Sequence, residues 1–90
     1  NPNTPEQLLG FDFGLLQIGV ATGHTQPGLV TPLQILTCKD GGPPWQAIAR
    51  LIEEWQPARL LVGLPLNMDG SDSELARLAR GFGNRLNGRT

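Results

Sequence analysis

The sequence holds one cysteine, one histidine, one methionine and no tyrosine in 90 residues. The lone thiol, Cys38, cannot close an internal disulfide, so no disulfide framework holds this chain together. It reads as a small, partly buried apolar residue, compatible with a reducing cytosol. The lone imidazole, His24, has no ligand-type neighbour in the sequence and reads as a turn residue. Long apolar runs are missing as well. None approaches the roughly 18 residues needed to cross a bilayer, so no membrane partner is expected and the location expected is cytoplasmic. The opening N-P-N-T-P-E-Q is polar, unlike the apolar centre of a secretory signal, and residues 1–6 are expected to form a disordered lead. An excess of one charge is also lacking. Seven Lys and Arg stand against eight Asp and Glu, a net charge of −1. Bulk electrostatics therefore names no partner, and the strongly basic balance of many nucleic-acid-binding domains is not present.

Glycine and proline, by contrast, are plentiful at twelve and eight. They are spread along the chain and cut it into short elements within one small domain. Residues 8–13 are strand-like, and Gly14 breaks them. Residues 18–22 form a second short strand, close enough for a hairpin, and 23–28 read as a turn. Residues 29–37 are β-rich, with Pro32 pointing to an edge strand, where a missing N–H does no damage. The period then changes. Trp45, Ile48, Leu51, Ile52 and Trp55 recur on one face of an amphipathic helix. Pro44 suits its first turn, and Pro57 ends it. The continuous apolar run 60–64 predicts a strand buried on both faces, as in a parallel sheet. A loop, 65–70, leads to Ser71-Asp72-Ser73-Glu74, which fits a capping box with Ser71 at the cap. Leu75, Leu78, Ala79, Phe82 and Leu86 give the second helix its stripe. Gly81 and Gly83 each weaken that helix by about 1 kcal/mol relative to Ala, and Gly88 is expected to stop it.

The order is β-β-β-α-β-α, an α/β fold with a mixed sheet. A right-handed crossover makes the fourth strand parallel to its partner. If that partner is the first strand, Asp12 and the 65–70 loop share one edge of the sheet, the edge where open α/β sheets bind ligands.

Three stretches could carry chemistry. Asp12 reads either as a half-exposed strand carboxylate bonded to its turn or as a ligand for a hard divalent cation. Gly14 and Gly19 would let a backbone or a phosphate come close to it. The triplet D-F-G also occurs in protein kinases, but no H-R-D loop or Gly-rich loop accompanies it here. In the 65–71 loop, Asn67 and Asp69 lie beside the free N–H groups of the next helix. They read as a phosphate or polar-ligand edge, or as turn chemistry with a helix cap. Arg77, Arg80, Arg85 and Arg89 follow with no acid between Leu75 and Thr90. They could track a phosphate backbone, or form a solvated face that complements the helix dipole. No aromatic stripe runs among them, and Trp45 and Trp55 read as core and core-rim.

Taken together, L-G-F-D-F-G with I-G-V-A, then E-E-W-Q-P, V-G-L-P-L-N-M-D-G-S and G-N-R-L-N-G-R resemble the YqgF family over roughly residues 8–89. Members of that family are described as pre-16S rRNA nucleases or Holliday-junction-resolvase-like proteins. The resemblance implies a ribonuclease H-like fold with sheet order 3-2-1-4-5, and hydrolysis of phosphodiesters in pre-rRNA or branched DNA. It implies two divalent metals, Mg2+ or Mn2+, held by carboxylates, with Asp12 matching the first ligand. Gly14, Asn67, Asp69, Arg77 and Arg80 are the residues expected to meet the nucleic acid. Two departures stand out. Leu15 and Leu16 occupy positions where the family carries a small or polar residue followed by a basic one. The family's fifth strand, with a D-E-R-type motif, and its last helix, with another Asp, lie outside these 90 residues. One carboxylate cannot hold two metals, so these residues alone are expected to have little or no nuclease activity. The fourth strand then becomes an exposed edge through which a homodimer is expected. Two other readings remain open. One is a nucleotide-binding fragment of the actin, sugar-kinase and Hsp70 superfamily. The other is a non-catalytic RNA-binding module using the 77–89 arginine face.

Overall fold

The computed structural model describes residues 6–25, 28–40 and 42–89. Six elements follow in the expected order: β1 Gln7–Asp12, β2 Gln17–His24, β3 Val30–Thr37, α1 Trp45–Trp55, β4 Arg59–Val62 and α2 Glu74–Arg89. They form one mixed sheet of order β3-β2-β1-β4. β1, β2 and β3 are an antiparallel meander, and β4 runs parallel to β1, from Leu8 against Arg59 to Phe11 against Val62. This is the ribonuclease H-like arrangement, with β4 at the sheet edge among the described residues.

The core follows from two periods meeting. Alternation turns Leu9 and Phe11 of β1, and Ile18 and Val20 of β2, into one buried face. The 3.6-residue period turns Ile48 and Leu51 of α1, with Ala76, Ala79, Phe82 and Leu86 of α2, onto the same cluster. Phe82 is its centre. It is fully buried, with ring centroids 5.8 Å from Phe11, 5.2 Å from Phe13 and 5.4 Å from Trp45. Cys38 is half-buried and packs against this cluster, as expected.

Several local expectations are corrected. β2 runs on to His24, which pairs with Gln7, because β1 offers partners that far; Gly23 and His24 are therefore strand, not turn. Residues 26 and 27 of the expected turn lie outside the described residues. β3 is an edge strand, as Pro32 requires, and its register shifts between Val20 and Ala21. Pro44 stands at the cap of α1 rather than inside its first turn. At the other end Gln56 adopts the left-handed conformation (φ 47°, ψ 53°), and its N–H meets the Ile52 carbonyl at 2.8 Å. β4 covers 59–62 rather than 60–64, and it is not buried on both faces. The helices cover one face only, so Leu60 and Val62 pack inward while Leu61 is 51% exposed.

α2 is capped by Ser73, not Ser71. The Ala76 N–H donates to Ser73 Oγ at 2.9 Å, and that hydroxyl donates in turn to the Pro65 carbonyl. Ser71 is taken up by the loop before it. Gly88 does not end α2, which continues to Arg89; a solvent-facing glycine costs a helix only its propensity. Of the expected lead, residues 1–5 lie outside the described residues. Glu6 is tied to the sheet, its N–H donating to Thr25 Oγ1 at 2.9 Å and its carboxylate 3.1 Å from Arg59.

Candidate functional site

Asp12 ends β1. Leu9 and Phe11 turn towards the helices, so alternation sends Asp12 to the opposite, open face of the sheet, where it is exposed. It sits across from Gly19 of β2. On its other side the chain leaves β4 at Gly63, whose N–H donates to the Phe11 carbonyl at 3.0 Å. Asp12 thus lies between the β1–β2 turn and the start of the loop after β4, as the topology required. Among the described residues its carboxylate has no hydrogen-bond or ion-pair partner. Gly10, Gly19, Ala21, Leu61 and Gly63 line with it one shallow concavity of about 630 Å³ on the open face. A hydrated carboxylate with a clear approach can take up a hard cation or accept a proton.

The other expected residues are placed differently. Gly14 serves the turn: a Cβ there would stand 2.6 Å from the Gln17 carbonyl oxygen. The next two residues, Leu15 and Leu16, are 65% and 78% exposed. Asn67 and Asp69 close their own turn. Asn67 Nδ2 donates to Ser71 Oγ at 3.1 Å and to the Asp72 carbonyl at 3.3 Å. Asp69 Oδ1 accepts from the Ser71 hydroxyl at 2.6 Å and the Ser71 N–H at 2.9 Å. These two bonds, the hydroxyl's first, hold the Asp69 carboxyl below the usual carboxylate range.

Arg77 and Arg80 are charge-compensated. Arg77 pairs with Glu74, and Arg80 grips Asp72 with Nη2 at 2.8 Å and Nε at 3.3 Å. Each pair lowers the carboxyl and raises the guanidinium, chiefly through the hydrogen bond between them. Such exposed pairs are weak and exchange readily for another anion. The structure therefore joins Asp12 to the loop after β4 without placing an uncompensated arginine from 77 or 80 beside it.

Sequence reasoning missed two arrangements. Trp45 of α1 lies under Arg85 and Arg89, whose guanidinium carbons are 5.5 Å and 4.2 Å from its ring centroid. The four-residue spacing of the two arginines was a usable signal, but the aromatic comes from another helix. Gly63 beside Asp12 was the second, since only the pairing of β4 with β1 brings it there; Gly19 on the other side was expected. Among the described residues no group of three or more His, Cys, Asp or Glu gathers where it could hold a metal ion. A pair of divalent cations needs several carboxylates, and the described residues gather no such set around Asp12.

The family model described as RuvX, Holliday junction resolvase, matches residues 6–90. The chain belongs to this family. It is 58% identical over 82 residues to a Chromohalobacter salexigens protein named "Putative pre-16S rRNA nuclease", covering 91% of this chain and 55% of that protein. Proteins of the same name from Alcanivorax borkumensis and Pseudomonas aeruginosa are 56% and 54% identical over the same length, with 62% and 57% of their lengths covered. The chain thus spans little more than half the length of these RuvX relatives. No helix among its described residues is long and apolar enough to cross a membrane.

Proposed function

We propose that this chain carries the strand-end carboxylate of a metal-dependent, ribonuclease H-like nuclease. Its reaction is hydrolysis of phosphodiesters in pre-16S rRNA during 5′-end maturation in the cytoplasm. The observation that carries the reading is Asp12, unpartnered and exposed at the end of the central strand, beside the exit from β4. An acid placed so does nothing for packing, and its family and its relatives' names point to nucleic-acid cleavage. Mg2+ or Mn2+, when bound, would supply an activated water and charge stabilisation at the leaving oxygen. Asp12 would hold one such ion by a carboxylate oxygen. Gly14, Asn67 and Asp69 would shape the two turns that flank the phosphate. Arg77 and Arg80 would exchange their carboxylate partners for phosphate oxygens.

The family description, Holliday junction resolvase, favours branched DNA as a second substrate reading. Cleavage of a pre-16S rRNA transcript and of a four-way DNA junction, side by side, separates the two. In a version with the full length of its relatives, Asp12→Asn is expected to abolish cleavage and leave the circular dichroism spectrum unchanged. Retained cleavage by that variant rejects the assignment. The proposal extends to the assembly of these 90 residues alone: among the described residues β4 lies at the edge of the sheet, and a second copy pairing there would form a homodimer.

A further inference from the structure

The arginines of α2 fall into two kinds. Arg77 and Arg80 are paired with Glu74 and Asp72. Arg85 and Arg89 have no carboxylate within ion-pair distance among the described residues. They lie instead over Trp45 of α1, with guanidinium carbons 5.5 Å and 4.2 Å from its ring centroid. A guanidinium over an aromatic ring uses its flat face and leaves its N–H donors free for an acid. Trp45 is held in turn by Phe82, whose ring stacks on it at 5.4 Å. Two uncompensated cations are therefore kept side by side. They stand at one end of a groove. Trp45, Ala49, Ile52 and Glu53 of α1 and Leu86 and Arg89 of α2 line it, around about 490 Å³. Ala49 is exposed and Ile52 half-buried, so the apolar side of α1 reaches beyond what the core covers. Glu53 lies about two turns along α1 from Trp45, with no cation within ion-pair distance among the described residues. The groove thus has apolar walls, a positive end and a negative end.

We infer that this groove docks an amphipathic helix of a protein partner, which lays leucine-type side chains along Ala49, Ile52 and Leu86 and sets carboxylates against Arg85 and Arg89. Charge complementarity selects this occupant. A nucleic-acid backbone following the groove would gain the two arginines, but its next phosphates would run into Glu53 and the apolar walls would stay unused. A helix with an apolar stripe and acids at one end only meets each part of the groove. The surface lies on the helix-covered side of the sheet, whereas Asp12 stands on the open side. Docking there is therefore independent of any cation or phosphate at the open face.

The test titrates the 90-residue chain in 1H–15N spectra with a short helical peptide that carries leucines at i and i+4 and glutamates in the following turn. The same peptide with lysines for the glutamates, and a single-stranded oligouridylate, are titrated beside it. The glutamate peptide is expected to shift the Trp45 indole N–H and the amides of Ala49, Ile52 and Leu86. Its binding should weaken by about tenfold when lysines replace the glutamates, and by as much in the double variant Arg85→Gln, Arg89→Gln. Ala49→Trp, a change at an exposed position, should melt like the parent and remove binding by filling the groove. No shift with the glutamate peptide, or shifts confined to β4 and the open face, overturns the proposal. Equal binding of the lysine peptide, or parent-like binding in the double arginine variant or in Ala49→Trp, also overturns it. Oligouridylate moving the same signals more tightly than the peptide overturns it in favour of a phosphate contact.

Discussion

The two faces of the sheet use the same strands under different constraints. On the covered face, Leu9, Phe11, Ile18 and Val20 are at most 3% exposed and close on Phe82 from α2. On the other face the same strands present Gly10, Asp12, Gly19 and Ala21, and β4 adds a half-exposed Leu61. Strand alternation makes this division unavoidable: every residue committed to the core leaves its neighbour facing away from it. The covered face is full, and its residues are explained by packing. The open face is released from packing, so a carboxylate and three glycines can stand there for another reason.

Substitutions on the two faces sharpen that contrast. Phe82→Ala should destabilise the chain by about 3–5 kcal/mol, the range for emptying a buried aromatic site. Leu61→Lys, on the open face, should change stability by no more than about 0.5 kcal/mol. It should also shift sedimentation from dimer to monomer if copies pair at β4. Urea melts giving the two variants similar losses would erase the distinction between the faces. A smaller effect tests the cap. Ser73→Ala should cost about 1 kcal/mol through loss of the Ala76 bond, and Ser71→Ala clearly less; the reverse order would return the cap to Ser71. The smallest effect concerns pH. Asp69, Asp72 and Glu74 are held below the usual carboxylate range by Ser71, Arg80 and Arg77. A carboxyl lowered in the folded state adds stability above its unfolded pKa, and that stability is lost as pH falls through the folded value. Melting temperature should therefore drop modestly on acidification below the ordinary carboxylate range. The drop should shrink in high salt because all three groups are exposed.

Much of the fold was legible because its signals are local. The change of period after residue 40 separated the meander from α1, Pro57 marked the end of that helix, and the handedness of crossovers made β4 parallel to β1. What was not legible depended on competition between distant groups. Ser71 and Ser73 are both fit to cap a helix, and the choice fell to Ser73 because the Asn67–Asp69 turn engaged Ser71. The run at 60–64 looks doubly buried only if something lies on both faces of the sheet. The four-residue spacing of Arg85 and Arg89 put them on one face of α2, but not which indole that face would meet, since Trp45 comes from α1.

The sequence by itself determined the element order, the apolar stripe of each helix, and the position of Asp12 at a strand end, since these follow from spacing along one chain. Only the tertiary structure decided that Gly63 flanks that carboxylate, that Arg77 and Arg80 are already paired, and that the glycines at 14 and 19 differ in kind. Those facts depend on which backbone lies across from which, and strand pairing brings together residues that the sequence keeps apart.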